Sequence, residues 1–225
     1  MTAADAPLIN DFTMMLVIHD AFRRDVRRIG DVLTSAADGA PVTPDRAAAV
    51  LERWRWVTEQ VHHHHGGEDA ALWPALRTAV GDDAAVRDLL DRMEDEHRAL
   101  GPREGELDRN LRAFAAAPSP GRARSALTAW RAFSEVFLAH LAHEERAAVP
   151  VLERRLPPEA LRRFEADQQR ALGLRVTMTR FFPWLIEDAS PHRRQHVLGL
   201  LPAPLRWVVL RSLPRHRRRT ARAWS

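Results

Sequence analysis

The chain has 225 residues, 45% of them hydrophobic and 28% charged, which is enough for one folded domain with a smaller appendage or for one large domain. It contains no Cys, so disulfides, thiolate metal sites and cysteine nucleophiles are excluded, and a bound metal must be held by His and carboxylates. The net charge is +4, and all 34 basic residues are Arg, with a concentration of them in residues 206–222. The N-terminal ten residues lack a signal-peptide pattern and no segment is apolar enough to cross a bilayer, so we expect a cytoplasmic protein.

Apolar residues recur at steps of three and four along almost the whole chain, which predicts an all-α protein. The predicted long helices span about residues 11–36, 43 to beyond 65, 83–116 and 120–156. Short polar connections leave only antiparallel neighbours, so we expect an up-down-up-down four-helix bundle over residues 1–156. Residues 157–225 are predicted to form a C-terminal helical extension of two or three pieces. We expect prolines to break those pieces: Pro183, Pro191, Pro202, Pro204 and Pro214.

Histidines fall on the apolar seam of every predicted bundle helix. Buried imidazoles must be neutral and must have polar partners, and a bound metal satisfies several of them at once. His64 and Glu68 are four residues apart, as are His140 and Glu144, so each pair projects from one face of its helix. The sequence therefore predicts a metal site inside the bundle.

His19 from the first helix and His97 from the third add two more imidazoles to this layer. Four imidazoles and two carboxylates are too many ligands for one tetrahedral zinc. The set suits two ions of octahedral tendency that are bridged by the carboxylates. For the neighbouring His62 and His63 we expect a position on the surface. We expect His143 outside the ligand set, and its spacing leaves a position beside the site and plain exposure equally open.

Four motifs, one in each predicted helix, resemble those of a hemerythrin-type (HHE cation-binding) domain. They are His-Asp-x-Phe-Arg from His19, the His-rich run followed by Glu68, Asp69, Trp73 and Pro74, Glu-Asp-Glu-His ending at His97, and His-Leu-x-His-Glu-Glu from His140. The resemblance covers about residues 11–156. It implies a non-haem di-iron centre with an oxo or hydroxo bridge, which binds dioxygen, nitric oxide or peroxide for sensing, storage or redox response.

The resemblance also implies a ligand set. His19, His64, His97 and His140 match the terminal imidazoles, and Glu68 and Glu144 match the bridging carboxylates. The third helix departs from oxygen-carrying hemerythrins, because Met93 stands four residues before His97 where they have a second His. Some HHE domains place an additional ligand directly after the second-helix His, and His65 stands there. The departure favours sensing, storage or redox chemistry over oxygen carriage; manganese or zinc could use the same donors.

Two other functions remain open from the sequence. The single Glu-x-x-His step at Glu94 and His97 is typical of ferritin-like enzymes, so a di-iron peroxide-decomposing or oxidase-type enzyme is one alternative. We expect a metal- and oxygen-binding protein rather than a dedicated enzyme. The second alternative is an interaction module, because the Arg-rich, Trp-containing residues 206–222 would suit weak contact with a membrane surface or an anionic polymer. No helix-turn-helix or zinc-finger pattern occurs, so sequence-specific DNA binding is not expected.

Overall fold

The computed structural model describes residues 7–225, which form helices and contain no strand. The all-α prediction is confirmed. Residues 1–6, the first part of the N-terminus in which the sequence analysis found no signal-peptide pattern, lie outside the described residues. Within the described part of the chain, no helix has the length and apolar content needed to cross a membrane.

Four long helices form the bundle: α1 (Thr13–Ala37), α2 (Pro44–Gly67), α4 (Ala84–Ala116) and α5 (Pro120–His143). Three of them begin at a side-chain cap, since Thr43, Asp83 and Ser119 each accept a hydrogen bond from the backbone N–H three residues later. Proline at the first position of α2 and α5 costs no hydrogen bond, because that N–H has no partner within the helix. These local signals explain why the predicted helix starts are close to the observed ones.

Helices α2 and α5 each continue through one wider π-helical turn, which the sequence analysis did not predict. The turns are Glu68–Leu72 and Glu144–Ala148, and they lead into α3 (Trp73–Val80) and α6 (Val149–Arg155). Pro74 and Pro150 lie just beyond them. Proline lacks an N–H and its ring clashes with the carbonyl four residues earlier, so the wider turn relieves a conflict that a continuous α-helix would contain.

The bundle core consists of two apolar clusters with a polar layer between them. Along α1, Met15 lies in one cluster and Phe22 in the other, with His19 between them. Along α2 the order is reversed, because Val61 belongs to the cluster of Phe22 and the following π turn ends at Leu72 in the cluster of Met15. Helices α4 and α5 repeat this reversal. The bundle is therefore up-down-up-down, and all four helices cross the polar layer.

The C-terminal extension packs into the same core rather than standing apart from it. It contains α7 (Pro158–Leu172), α8 (Leu174–Val176), a π turn (Thr177–Phe181), α9 (Phe182–Ile186), α10 (Pro191–Gly199) and α11 (Ala203–Trp224). Helix α11 lies along α2, and Trp184 of α9 is fully buried with its ring centroid 5.4 Å from that of Phe22.

Three of the five prolines lie at breaks between helices of the extension, as predicted. Pro191 lies in the first turn of α10, and Pro202 and Pro204 lie at the start of α11, where the missing N–H costs nothing. Pro183 and Pro214 instead lie within continuous helical segments, Pro183 just after the π turn Thr177–Phe181. The extension has more helical pieces than the two or three predicted.

Buried ion pairs join the extension to the bundle. The carboxylate of Asp25, on α1, is fully buried. Arg53 of α2 and the indole N–H of Trp184 both donate to its Oδ2, at 2.5 and 2.8 Å, and Arg24 donates to its Oδ1 at 3.1 Å. A buried charge is tolerated only when it is paired and hydrogen-bonded, so this carboxylate fixes three elements to one another.

Glu187, directly after α9, anchors α11 in the same way. Its carboxylate accepts hydrogen bonds from His216 Nε2 at 3.1 Å and Thr220 Oγ1 at 3.0 Å. Burial raises the pKa of Glu187, but His216 together with the nearby Arg24 and Arg53 outweighs this effect and lowers the pKa to about 2. The carboxylate therefore stays ionised near neutral pH.

We expect Asp25→Ala to lower the free energy of unfolding by about 3–5 kcal/mol, because it leaves buried guanidinium groups without their counter-charge. Asp20→Ala is the matched control on the same helix. Asp20 is exposed, with its nearest cation at 3.3 Å, so its removal should cost less than about 1 kcal/mol. Urea unfolding followed by circular dichroism measures both, and equal losses would contradict the role given to Asp25.

Candidate metal centre

The polar layer of the bundle brings together all seven residues that the sequence analysis singled out as ligands. Their side chains come from four helices and from the first residue of each bundle π turn. All seven are buried or nearly so; six of them form two neighbouring groups, and Glu68 contacts both groups. The members are His19, His64, His65, Glu68, His97, His140 and Glu144.

The first group is an all-imidazole triad of His65, His97 and His140, which offer nitrogens within 4.8 Å of one another. His97 Nε2 lies 3.2 Å from His140 Nε2. The ring of His65 stacks on that of His97 with centroids 4.0 Å apart. Helix α4 contributes only one histidine, His97, to this group. His65 of α2 supplies the third imidazole beside His97 and His140.

The second group is formed by His19, His64 and Glu144. His19 Nε2 lies 3.0 Å from His64 Nε2 and 3.3 Å from Glu144 Oε2. This triad offers two imidazole nitrogens and one carboxylate oxygen, again within 4.8 Å of one another. The two triads therefore differ in their donors.

Each buried glutamate faces both triads. Glu68 Oε1 is 3.2 Å from His64 Nε2, and its Oε2 is 3.7 Å from His97 Nε2. Glu144 Oε2, which contacts His19, is also 3.9 Å from His140 Nε2. A carboxylate in such a position can donate to two ions at once, which is the arrangement of a bridging ligand.

The electrostatics of the layer favour a bound cation. Burial and the charge of Glu144 raise the pKa of Glu68 well above its usual value. Burial also raises the pKa of Glu144, but the nearby imidazoles outweigh it and hold that pKa below the usual range. Burial and neighbouring imidazoles lower the pKa of His64 and His65, which keeps both rings neutral and able to act as ligands.

The hydrogen bonding gives an independent test of the fit. Both carboxylate oxygens of Glu68 and of Glu144 are buried without a hydrogen-bond donor, and so is Nε2 of His65. Buried polar atoms without a partner cost free energy unless an ion or water satisfies them. The orphaned atoms all belong to imidazoles or carboxylates, so the residues present fit a pair of cations.

Outer carboxylates orient three of the imidazoles. Nδ1 of His19 lies 2.9 Å from Glu145 Oε1, and Nδ1 of His97 lies 2.8 Å from Asp69 Oδ1. When Nδ1–H donates to a carboxylate, Nε2 keeps its lone pair directed at the centre. Asp69 and Glu145 directly follow the two central glutamates, a signal that the sequence analysis quoted without assigning a role.

Glu96 orients the third imidazole and was missed from the sequence. Its Oε2 lies 2.9 Å from Nδ1 of His140, and its Oε1 lies 2.7 Å from Nδ1 of His143. Through this contact His143 lies beside the site, which is one of the two positions that its spacing had left open. The available signal was that Glu96 precedes His97, but helical periodicity does not show that it reaches α5.

The remaining residues that the sequence analysis weighed lie away from the two triads. Met93 is fully buried in the apolar cluster of Met15. Glu94 is 3.0 Å from Arg77, so the Glu-x-x-His step does not bring its carboxylate to the centre. His62 is exposed, as predicted, and contacts Glu104, whereas His63 is half-buried.

The fold and this centre agree with a comparison against known families. The family model described as Hemerythrin HHE cation binding domain matches residues 10–152. No curated protein and no solved structure gives a significant match to the chain. The matched range contains both triads and both bundle π turns.

We expect Glu96→Gln to weaken metal binding about 10–100-fold, because an uncharged amide is a poorer partner for the Nδ1–H of His140. Glu94→Gln is the matched control, since Glu94 lies two residues earlier on the same helix and contacts Arg77 instead. Titration of ferrous ion against a chelator of known affinity measures both. Equal affinities in the two variants would show that the Glu96 contact does not support the centre.

Proposed function

The chain belongs to the hemerythrin HHE cation-binding domain family, and on this premise we propose that it is a di-iron protein that binds a small ligand. The ligand is dioxygen, nitric oxide or peroxide, and the role is sensing, storage or redox response. One observation carries the proposal: the two triads are adjacent, and the buried carboxylates of Glu68 and Glu144 each lie within 4 Å of an imidazole from both triads.

The donor set supports iron. Imidazole and carboxylate suit iron, manganese and zinc, but two adjacent ions with mixed nitrogen and oxygen ligands also suit a metal that changes its oxidation state. When bound, the iron pair supplies a redox-active centre with room for a small ligand. The chain contributes the buried carboxylates that balance its charge and the outer carboxylates that fix the imidazoles.

The two triads leave unequal room for a ligand. His65, His97 and His140 with the two shared glutamates give five donor side chains on one side. On the other side, His19 and His64 with the same glutamates give four. An octahedral ion takes about six ligands, so the side of His19 and His64 has more room for a small molecule.

An apolar cavity of about 440 Å³ reaches that same side of the centre. It lies between α1, α7 and the later part of the extension, and His64 forms part of its wall. Met15, Ile18 and Phe182 are among the apolar residues that line it. Dioxygen and nitric oxide are small and weakly polar, so an apolar cavity admits them while it disfavours ions. We propose this cavity as their route to the centre.

The first experiment is iron content after anaerobic reconstitution with ferrous ion, followed by the absorption spectrum on admitting air. We expect two irons per chain in the wild type and fewer in His65→Ala, because one triad loses an imidazole. His62→Ala is the matched control, since His62 lies on the same helix but is exposed and contacts Glu104 instead of either triad. Iron binding that is the same in both variants and in Glu144→Ala would overturn the proposal.

The spectrum then distinguishes the roles. Near-ultraviolet bands that reverse on removing oxygen indicate reversible binding, and bands that persist indicate sensing or redox response. Repeated turnover of hydrogen peroxide that is lost in Glu144→Ala would instead identify the peroxide-decomposing enzyme.

We expect Ile18→Trp to slow the association of nitric oxide with the ferrous protein severalfold, because the indole fills part of the apolar cavity. The iron content should stay unchanged. Leu210→Trp adds the same group at an exposed position outside the cavity and should leave the rate unaltered. Stopped-flow absorption measures both rates, and an unchanged rate in Ile18→Trp would exclude this cavity as the route.

A further inference from the structure

A second concave site lies on the extension, away from the two triads. It is a cavity of about 860 Å³ between residues 175–180 and α11, and we call it the arginine groove. Thr179, Ser212 and His216 contribute to its wall, but arginines dominate it. They are Arg175, Arg180, Arg215, Arg218, Arg219 and Arg222.

The six arginines of the groove form no ion pair among the described residues, although ion-paired arginines occur elsewhere in this protein. Arg28, Arg77 and Arg155, for example, each lie within 4 Å of a carboxylate. Within residues 7–225, no carboxylate lies within 4 Å of any of the six groove guanidiniums. The groove therefore gathers positive charges that repel one another, and an anion bound among them would offset that repulsion.

Contacts with buried residues hold two of the groove side chains in place. The guanidinium of Arg180 lies over the ring of Trp56, 4.3 Å from its centroid, and its Nε is buried without a hydrogen-bond partner. His216 is fixed through Nε2 by Glu187, while its Nδ1 is likewise buried and unpartnered. The groove thus combines one guanidinium held against an aromatic ring with two buried polar nitrogens that lack partners.

The shape and chemistry of the groove point to one class of ligand. Guanidinium groups bind phosphate through two parallel hydrogen bonds, and several guanidiniums around one concavity suit several linked phosphates. The volume is that of a small-molecule site, which is about 300–1,000 Å³. An extended polymer would instead follow a line of cations, but Arg206, Arg211 and Arg217 of the same helix lie outside the groove.

We propose that the arginine groove binds a soluble oligophosphate, meaning a molecule with three or more linked phosphate groups. A nucleoside triphosphate and inorganic tripolyphosphate share this chemistry. The site is independent of the iron proposal, because none of its residues belongs to either triad.

The test is calorimetric titration of the full chain with sodium tripolyphosphate at about 150 mM salt, where diffuse surface attraction is screened. We expect one site per chain. Arg215→Gln/Arg218→Gln removes two exposed groove charges and should weaken binding at least about tenfold, because charge-assisted hydrogen bonds are lost. Arg211→Gln/Arg217→Gln is the matched control, with the same charge change at exposed positions of the same helix outside the groove, and should keep binding within about threefold.

Further ligands separate the sources of the phosphate groups. Binding of ATP more tightly than tripolyphosphate supports a nucleotide, and equal binding supports recognition of the phosphates alone. Absence of binding, equal weakening in the two double variants, or binding as tight for citrate as for tripolyphosphate would overturn the proposal. Binding only to phosphoinositide vesicles or to single-stranded DNA would also overturn it, and would assign the surface to a membrane or a nucleic acid.

Discussion

The structure depends on two glutamates that are buried side by side in a layer of imidazoles. Glu68 and Glu144 are fully buried, and none of their carboxylate oxygens has a hydrogen-bond donor. Two like charges in that position are unfavourable unless cations lie between them. The four long helices, the outer carboxylates and the apolar clusters on either side can all be understood as the structure that holds this layer together.

The backbone has the same conformation at both glutamates. Each begins a π turn, and each is followed six residues later by a proline, Pro74 or Pro150, in front of which a regular α-helix is strained. A third π turn, Thr177–Phe181, also precedes a proline but carries no ligand. Proline context therefore accounts for the wide turns, and the His-x-x-x-Glu spacing accounts for the chemistry at two of them.

Helical periodicity was enough to predict the bundle and to select six side chains of the central layer, because each is placed by its own helix. The seventh, His65, was predicted from the family resemblance. It was not enough for contacts between helices. Glu96 reaches His140 from α4, and no spacing along one helix shows that. The packing of the extension was likewise hidden, because the bond from Trp184 to Asp25 joins residues 159 positions apart. In the extension, Pro191, Pro202 and Pro204 lie where a helix begins, whereas Pro183 and Pro214 lie within helical segments, so a proline alone does not show where a helix is broken.

The extension also forms part of the wall around the central layer. A continuous series of ring contacts runs from the arginine groove inward: Arg180 lies over Trp56, and the ring centroids of Trp56 and Trp184 are 6.1 Å apart. Trp184 then contacts Phe22 at 5.4 Å, and Phe22 contacts His64 at 5.8 Å. Protein interiors are close-packed, so none of these rings can move without displacing its neighbour. The position of the His64 ring is consequently set by the extension as well as by the bundle, although the seam of α2 alone assigns it to the centre.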